Sequence, residues 1–345
     1  MLTKWGRWRA AWVEADMPWP PATPLNWTSK AVYPASYESC GIVMDGLLLL
    51  DKPTGPTSHD IVASLRAVCG GVKTGHAGTL DPLASGLLVI LLGKATKLAP
   101  YIPGDPKVYE GCILLGISTD SLDIEGELLA EASYEGSGEE AAAALAAQVG
   151  TVEQQPPMFS AAKYKGKPLY RYARRGVEVP RQSRQVQVYR FEMTGFRSGK
   201  GRAEVDFQVE CSPGTYVREL AARVGDTLGC GGVISSLRRI ASGPFRVENA
   251  LTLHDVERRM EGHAGTEGFV LSMERAVEGY KRIDVSDEGL RTARNGAPLN
   301  PEMICGMDTG IIAGDTVAVF AGGALLGMHR VTRESPLASY ALRMM

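Results

Sequence analysis

The chain has few of the features that mark metal, redox or membrane proteins. Its six cysteines (Cys40, Cys69, Cys112, Cys211, Cys230, Cys305) form no Cys-x-x-Cys pair, and its five histidines show no ligand spacing. A zinc site or a disulfide framework is therefore not expected. Cys112 and Cys211 fall in strand-like runs and read as small buried hydrophobes. No apolar run approaches the ~20 residues that a membrane span needs, and the N-terminus lacks the apolar core of a signal peptide, so a cytoplasmic location is expected. Two nucleotide fingerprints are incomplete. Gly86 to Ala95 lacks the spacing and the Ser/Thr of a phosphate loop, and Gly229 to Ile234 lacks the third glycine of a dinucleotide turn. No metal and no cofactor is expected.

Net charge is also scarce, at -2 over 345 residues, but the average conceals a segregation. Lys163 to Arg190 holds nine basic residues and one acid, Glu178, a local balance of +8, whereas Ser118 to Gly150 holds eight acids and no Lys or Arg. Such asymmetry is the electrostatic footprint of a protein with one phosphate-facing side. Tyr164, Tyr170 and Tyr172 lie among the basic residues, where aromatic rings can stack on bases or riboses. RNA is the partner this pattern favours.

Length suggests about two domains, and composition divides the chain further. All five tryptophans precede residue 28 and five prolines lie between Pro18 and Pro34, so residues 1–43 read as an extension outside the fold, with Met44 as a candidate initiator. Leu47 to Leu50 reads as a buried strand running into a turn. Thr57 and Asp60 mark a helix start, Ile61, Leu65 and Val68 its buried face, and Gly70-Gly71 its stop. Ser137 with Glu139 and Glu140 opens a second helix, expected to end at Gly150. Tyr109 to Ile117 reads as a strand, and the alternation from Ala203 to Cys211 reads as a strand with one wet face. Thr316–Phe320 and Ala324–Met328, separated by a Gly-Gly turn, read as a hairpin. Strands and helices interleave without strict βαβ order, so the expected class is α+β, with a mixed, largely antiparallel sheet and flanking helices.

The chemistry concentrates in Gly75-His76-Ala77-Gly78-Thr79-Leu80-Asp81-Pro82-Leu83-Ala84-Ser85-Gly86. Gly75 and Gly78 admit backbone conformations closed to other residues, and Pro82 bars Asp81 from a helix interior. The apolar run Leu87 to Leu92 anchors this loop on a buried strand. A carboxylate displayed so suits nucleophilic or acid/base work.

This segment resembles the signature of the bacterial TruB family of tRNA pseudouridine synthases. Further motifs follow in order: Leu50-Asp51-Lys52-Pro53-Thr54-Gly55, Lys107-Val108-Tyr109, Thr119-Asp120-Ser121-Leu122-Asp123, Gln155 to Ala161, Gly214-Thr215-Tyr216-Val217-Arg218 and Leu237-Arg238-Arg239. The resemblance implies a pseudouridine synthase fold over residues 44–280 and a PUA-like β domain over 281–345. It makes Asp81 the catalytic residue, Arg218 the arginine that pairs with it and Asp123 an acid that orients that arginine. Tyr109 is the ring that stacks on a flipped uridine. Tyr216 and Leu237 line the nucleotide pocket, and His76 contacts the RNA around the flip. Lys52 and Lys94 are expected at phosphates, and His59 at a helix cap.

By the same resemblance, residues of about 155–185 form an RNA-gripping insertion, with Lys165, Arg171 and Arg174 on tRNA. The implied reaction is isomerisation of uridine 55 in the T-arm by a monomer without cofactor or obligate protein partner. Guide-RNA-dependent modification and non-catalytic tRNA folding stand as the alternatives, and the insertion speaks against the first.

Overall fold

The computed structural model describes residues 44–261, 268–295, 297–334 and 337–345. The tryptophan- and proline-rich extension lies outside the described residues. In chain order the strands are β1 (Gly46–Lys52), β2 (Thr74–Ala77), β3 (Ser85–Leu92), β4 (Lys107–Leu115), β5 (Ile117–Thr119), β6 (Leu128–Glu131), β7 (Gly150–Gln154), β8 (Lys163–Tyr164), β9 (Lys167–Pro168), β10 (Arg184–Gly199), β11 (Arg202–Cys211), β12 (Gly232–Ser242) and β13 (Phe245–Arg246). The C-terminal strands are β14 (Arg282–Val285), β15 (Ile304–Met307), β16 (Thr316–Ala321), β17 (Ala324–Glu334) and β18 (Leu337–Met344).

The main sheet has nine strands in the order β1-β3-β12-β4-β11-β10-β7, with β2 on β3 and β13 on β12. Pairs β1–β3, β2–β3, β10–β7 and β12–β13 are antiparallel, while β12 meets β3 in parallel at Arg238↔Ser85 and Arg239↔Gly86. The sheet is mixed and largely antiparallel, and the class is α+β. By contacts the described residues form two compact units. One comprises Gly111–Val209 and Tyr216–Ser236; the other comprises residues 44–110, Glu210–Thr215 and Leu237–Met345.

In the second unit the apolar runs become strands buried on both faces, as continuous hydrophobicity requires. Leu87 through Leu92 of β3 are fully buried. Helix Ser58–Val68 is closed by a reciprocal box in which Thr57 caps the Asp60 amide and Asp60 accepts from the Thr57 amide. The exposed His59 does not cap it. The C-terminal strands form their own sheet, β15-β14-β16-β17-β18. Ile283, Val285, Val317, Val319 and Val331 fill one core cluster. Ala318, Phe320, Leu325 and Met328 instead share a cluster with Leu47, Leu87 and Leu91 of the main sheet.

In the first unit, β11 alternates half-buried and buried positions along its whole length, as its sequence alternates. Helix Gly138–Ala146 starts at the Ser137 cap but stops at Ala146, short of the expected Gly150. Gly150 instead opens β7 at φ +114°.

Candidate active site

The loop from Gly78 to Ala84 leaves β2 and returns into β3 carrying Asp81, and several groups fix it. Ser58, buried at the start of its helix, donates its hydroxyl to the Leu80 carbonyl at 3.0 Å and accepts from the Leu80 amide at 2.9 Å. Leu80, Leu83 and Ala84 bury their side chains on either side of the half-buried Asp81. The Gly55 amide donates to the Pro82 carbonyl at 2.9 Å, and the Ala84 amide to the Asp81 carbonyl at 3.1 Å. Gly78 has φ +84°, and a Cβ there would come within 3.0 Å of Lys107 Nζ. A carboxylate on a loop held this way keeps one orientation without spending substrate binding energy to order it.

Beneath the loop lie groups with altered proton affinity. Lys107 donates to Ser242 Oγ at 3.0 Å, and burial, reinforced by Arg239, pulls its pKa down to about 8. Burial, with Arg239 and His59 adding to it, also lowers the His76 pKa, and His76 Nδ1 is buried without a partner among the described residues. Tyr109 is 7% exposed; burial raises its pKa, Arg239 opposes that shift, and the nearby Asp81 carboxylate adds to it. His76, Asp81, Tyr109 and Leu237 belong to one compact unit, and the last is buried at 8% exposure.

The first unit holds a second cluster. Arg218, 4% exposed, donates through Nη1 to the Ser121 carbonyl at 2.6 Å and to Asp123 Oδ2 at 3.2 Å, and through Nη2 to the Phe159 carbonyl at 2.8 Å. Asp123 Oδ1 accepts from Ser121 Oγ at 2.7 Å and from the Glu125 amide at 3.1 Å. A buried guanidinium and carboxylate with this many neutral partners form an oriented ion pair. Tyr216 is fixed through its backbone. The buried Gln154 accepts from the Tyr216 amide at 2.9 Å and donates to its carbonyl at 3.2 Å, and Arg184 lies 4.8 Å from the ring centroid.

This geometry sits on segments that match known proteins. The model of the TruB family pseudouridylate synthase N-terminal domain matches residues 66–217, and that of the tRNA pseudouridylate synthase B C-terminal domain matches residues 218–278. A tRNA pseudouridine synthase B of Geobacillus kaustophilus (strain HTA426) is 44% identical over 261 residues, covering 74% of this chain and 91% of the relative. The chain belongs to the TruB family. A second TruB relative, from Geotalea uraniireducens (strain Rf4), is 39% identical over 290 residues, 83% of this chain and 92% of its own. Among solved structures, one titled as a Cbf5-Nop10-Gar1 complex aligns at TM-score 0.66 and 29% identity, over 88% of this chain and 84% of the other. Another, titled as an H/ACA RNP bound to a substrate RNA containing 2′-deoxyuridine, aligns at TM-score 0.66 and 26% identity, over 88% and 85%.

One expected phosphate contact is corrected by the structure. Lys52, expected at a phosphate, is fully buried and donates to the carbonyls of Pro53, Pro56 and Pro82 at 2.9, 2.8 and 3.4 Å. Its ammonium ties the turn after β1 to the loop after Asp81 and is out of reach of a polyanion. Lys94 stays exposed beside Asp45 at 3.5 Å.

In the basic segment, β8 and β9 form a hairpin turned at Lys165 and Gly166, both with positive φ, followed by helix Leu169–Ala173. Lys165, Arg171 and Arg174 are exposed, with Lys165 and Arg174 each 5.4 Å from a tyrosine ring centroid, those of Tyr164 and Tyr170. Tyr164 and Tyr172 pack edge to face at 5.9 Å, and the Tyr172 hydroxyl donates to the Tyr164 carbonyl. These two rings hold the hairpin to its helix. Sequence reasoning missed Ser58 and left Arg239 without a role. Arg239 donates from Nε to the Leu87 carbonyl at 2.7 Å and from Nη2 to that of Gly78 at 3.0 Å.

Proposed function

We propose that this TruB-family chain is a tRNA pseudouridine synthase that isomerises uridine 55 of the T-arm, acting alone and without a cofactor. The observation that carries the reading is the Asp81 loop, immobilised by Ser58, Gly55 and the glycine turn at Gly78. In the reaction the N1–C1′ bond breaks, the uracil turns, C5 bonds to C1′, the C5 proton leaves and N1 is protonated. The atoms balance without oxidant or group donor. Asp81 supplies the carboxylate at the sugar–base link, and Arg218, oriented by Asp123, is the guanidinium of the reaction.

A uridine inside folded RNA must leave its stack to be reached. Tyr109 stacks on the extruded base, Leu237 and Tyr216 line its pocket, and His76, kept neutral by burial, contacts the RNA around it. The exposed cations Lys165, Arg171 and Arg174 grip the tRNA backbone, and the C-terminal sheet of residues 281–345 serves as a PUA-like RNA-binding domain. The function is placed in the cytoplasm, in a monomer. The solved relatives are titled as assemblies, which keeps action within a larger complex as the competing reading.

One experiment separates these readings. Purified protein is incubated with unmodified tRNA transcript and no other RNA or protein, and pseudouridine is mapped. Product at position 55, abolished in Asp81→Asn, is expected. Binding without product favours a folding role, product only on adding a guide RNA favours the assembly, and an active Asp81→Asn variant removes Asp81 from the chemistry.

A further inference from the structure

Arg239 is fully buried, yet its hydrogen-bond partners among the described residues are neutral: the carbonyls of Leu87, Gly78 and Thr79 at 2.7, 3.0 and 3.4 Å. An interior guanidinium without a carboxylate partner is costly, and an apolar side chain of similar volume generally serves stability better. The reason for it lies in what its fork spans. Nε holds the carbonyl of Leu87, where β3 begins, and the two Nη atoms hold the turn where β2 ends. One planar group therefore pins both ends of the segment that carries Asp81.

Its backbone does the same from the strand side, since a Cβ on Gly86 would lie 2.3 Å from the Arg239 carbonyl oxygen. The small ammonium of a lysine cannot reproduce this fork.

We propose that Arg239 is a positioning residue of the isomerisation, holding the Gly78–Thr79 turn so that Asp81 is presented in one conformation. The inference rests on the reading of Asp81 as the reactive carboxylate. Lys107 is the second cation at this turn, and its depressed proton affinity reflects the neighbouring guanidinium as well as burial.

The test compares wild type, Arg239→Lys, Gly78→Ala and the double variant by single-turnover rate at saturating enzyme, tRNA Kd and thermal melting. Gly78→Ala disturbs the same turn through its positive φ and through a Cβ that meets Lys107 Nζ at 3.0 Å and Arg239 Nη1 at 3.5 Å, and it removes neither cation. Expected are rates lowered at least about tenfold in each single variant with Kd within about twofold of wild type, and a double variant no slower than the worse single, because both act through one turn.

An Arg239→Lys variant at wild-type rate overturns the inference. So do additive losses, or a rate, Kd and melting temperature that decline together. If Arg239→Lys melts too low to assay, Gly78→Ala decides alone, and an unchanged rate overturns the inference. A wild-type enzyme that makes no pseudouridine overturns the functional reading itself, and is told apart by that.

Discussion

Two side chains near Asp81 make contrasting predictions at the scale of single residues. Ser58→Ala removes both hydrogen bonds to Leu80 and leaves a buried amide and carbonyl unpaired, a loss of about 1–3 kcal/mol. Turnover should fall while tRNA affinity holds, because the residue bonded is the one before Asp81; equal losses in both would refute this. Lys107 carries the opposite sign. Its folded pKa of about 8 lies below the ordinary lysine value, so the unfolded chain binds more protons between about pH 8 and 10.5, and stability contributed by this group rises with pH there. Lys107→Met should raise the melting temperature at pH 7, and the gain should shrink as pH climbs through that window. A gain independent of pH would show that Lys107 does not titrate there.

The aspartate was legible because twelve positions specify it. Lys52 and Arg239 were not, because their partners are backbone carbonyls of Pro53, Pro56, Pro82, Gly78, Thr79 and Leu87, which no side-chain pattern records.

Among the elements, those governed by local rules read directly. The helix Ser58–Val68 has its cap, buried stripe and paired left-handed glycines at Gly70 and Gly71, all written within one short stretch. The end of helix Gly138–Ala146 did not read, because the alanine run continues to favour helix while β7 draws the following residues into pairing with β10. Strand β3 was evident from its unbroken apolar run, but its parallel register against β12 depends on a close approach at Gly86 that only the assembled sheet reveals. Gly86 has φ +96°, so any side chain there meets both strain and the Arg239 backbone. Gly86→Ala should therefore destabilise by about 2–4 kcal/mol, measured as a fall in denaturation midpoint at constant m-value. A wild-type midpoint would mean that β3 and β12 can separate at no cost.

Over the whole molecule, a net charge of -2 concealed a division that the structure keeps. The acidic run lies on the turn between β5 and β6, on β6 and on the helix before β7, whereas the basic run lies on the hairpin of β8 and β9, the helix after it and the start of β10. Lys165, Arg171 and Arg174 stand exposed and in no ion pair among the described residues, and two of them lie beside tyrosine rings. Cations displayed in this way release counterions when they meet phosphates, so each contact contributes about one unit to the slope of log affinity against log salt. Neutralising the three to glutamine should reduce that slope by up to about three units and weaken tRNA binding most at low salt. Asp81→Asn should leave the slope unchanged, since the role proposed for it lies at the sugar rather than the backbone. A triple variant with the wild-type slope would move the RNA-binding face elsewhere on the molecule, and a reduced slope with unimpaired turnover at saturating tRNA would confine the insertion to capture.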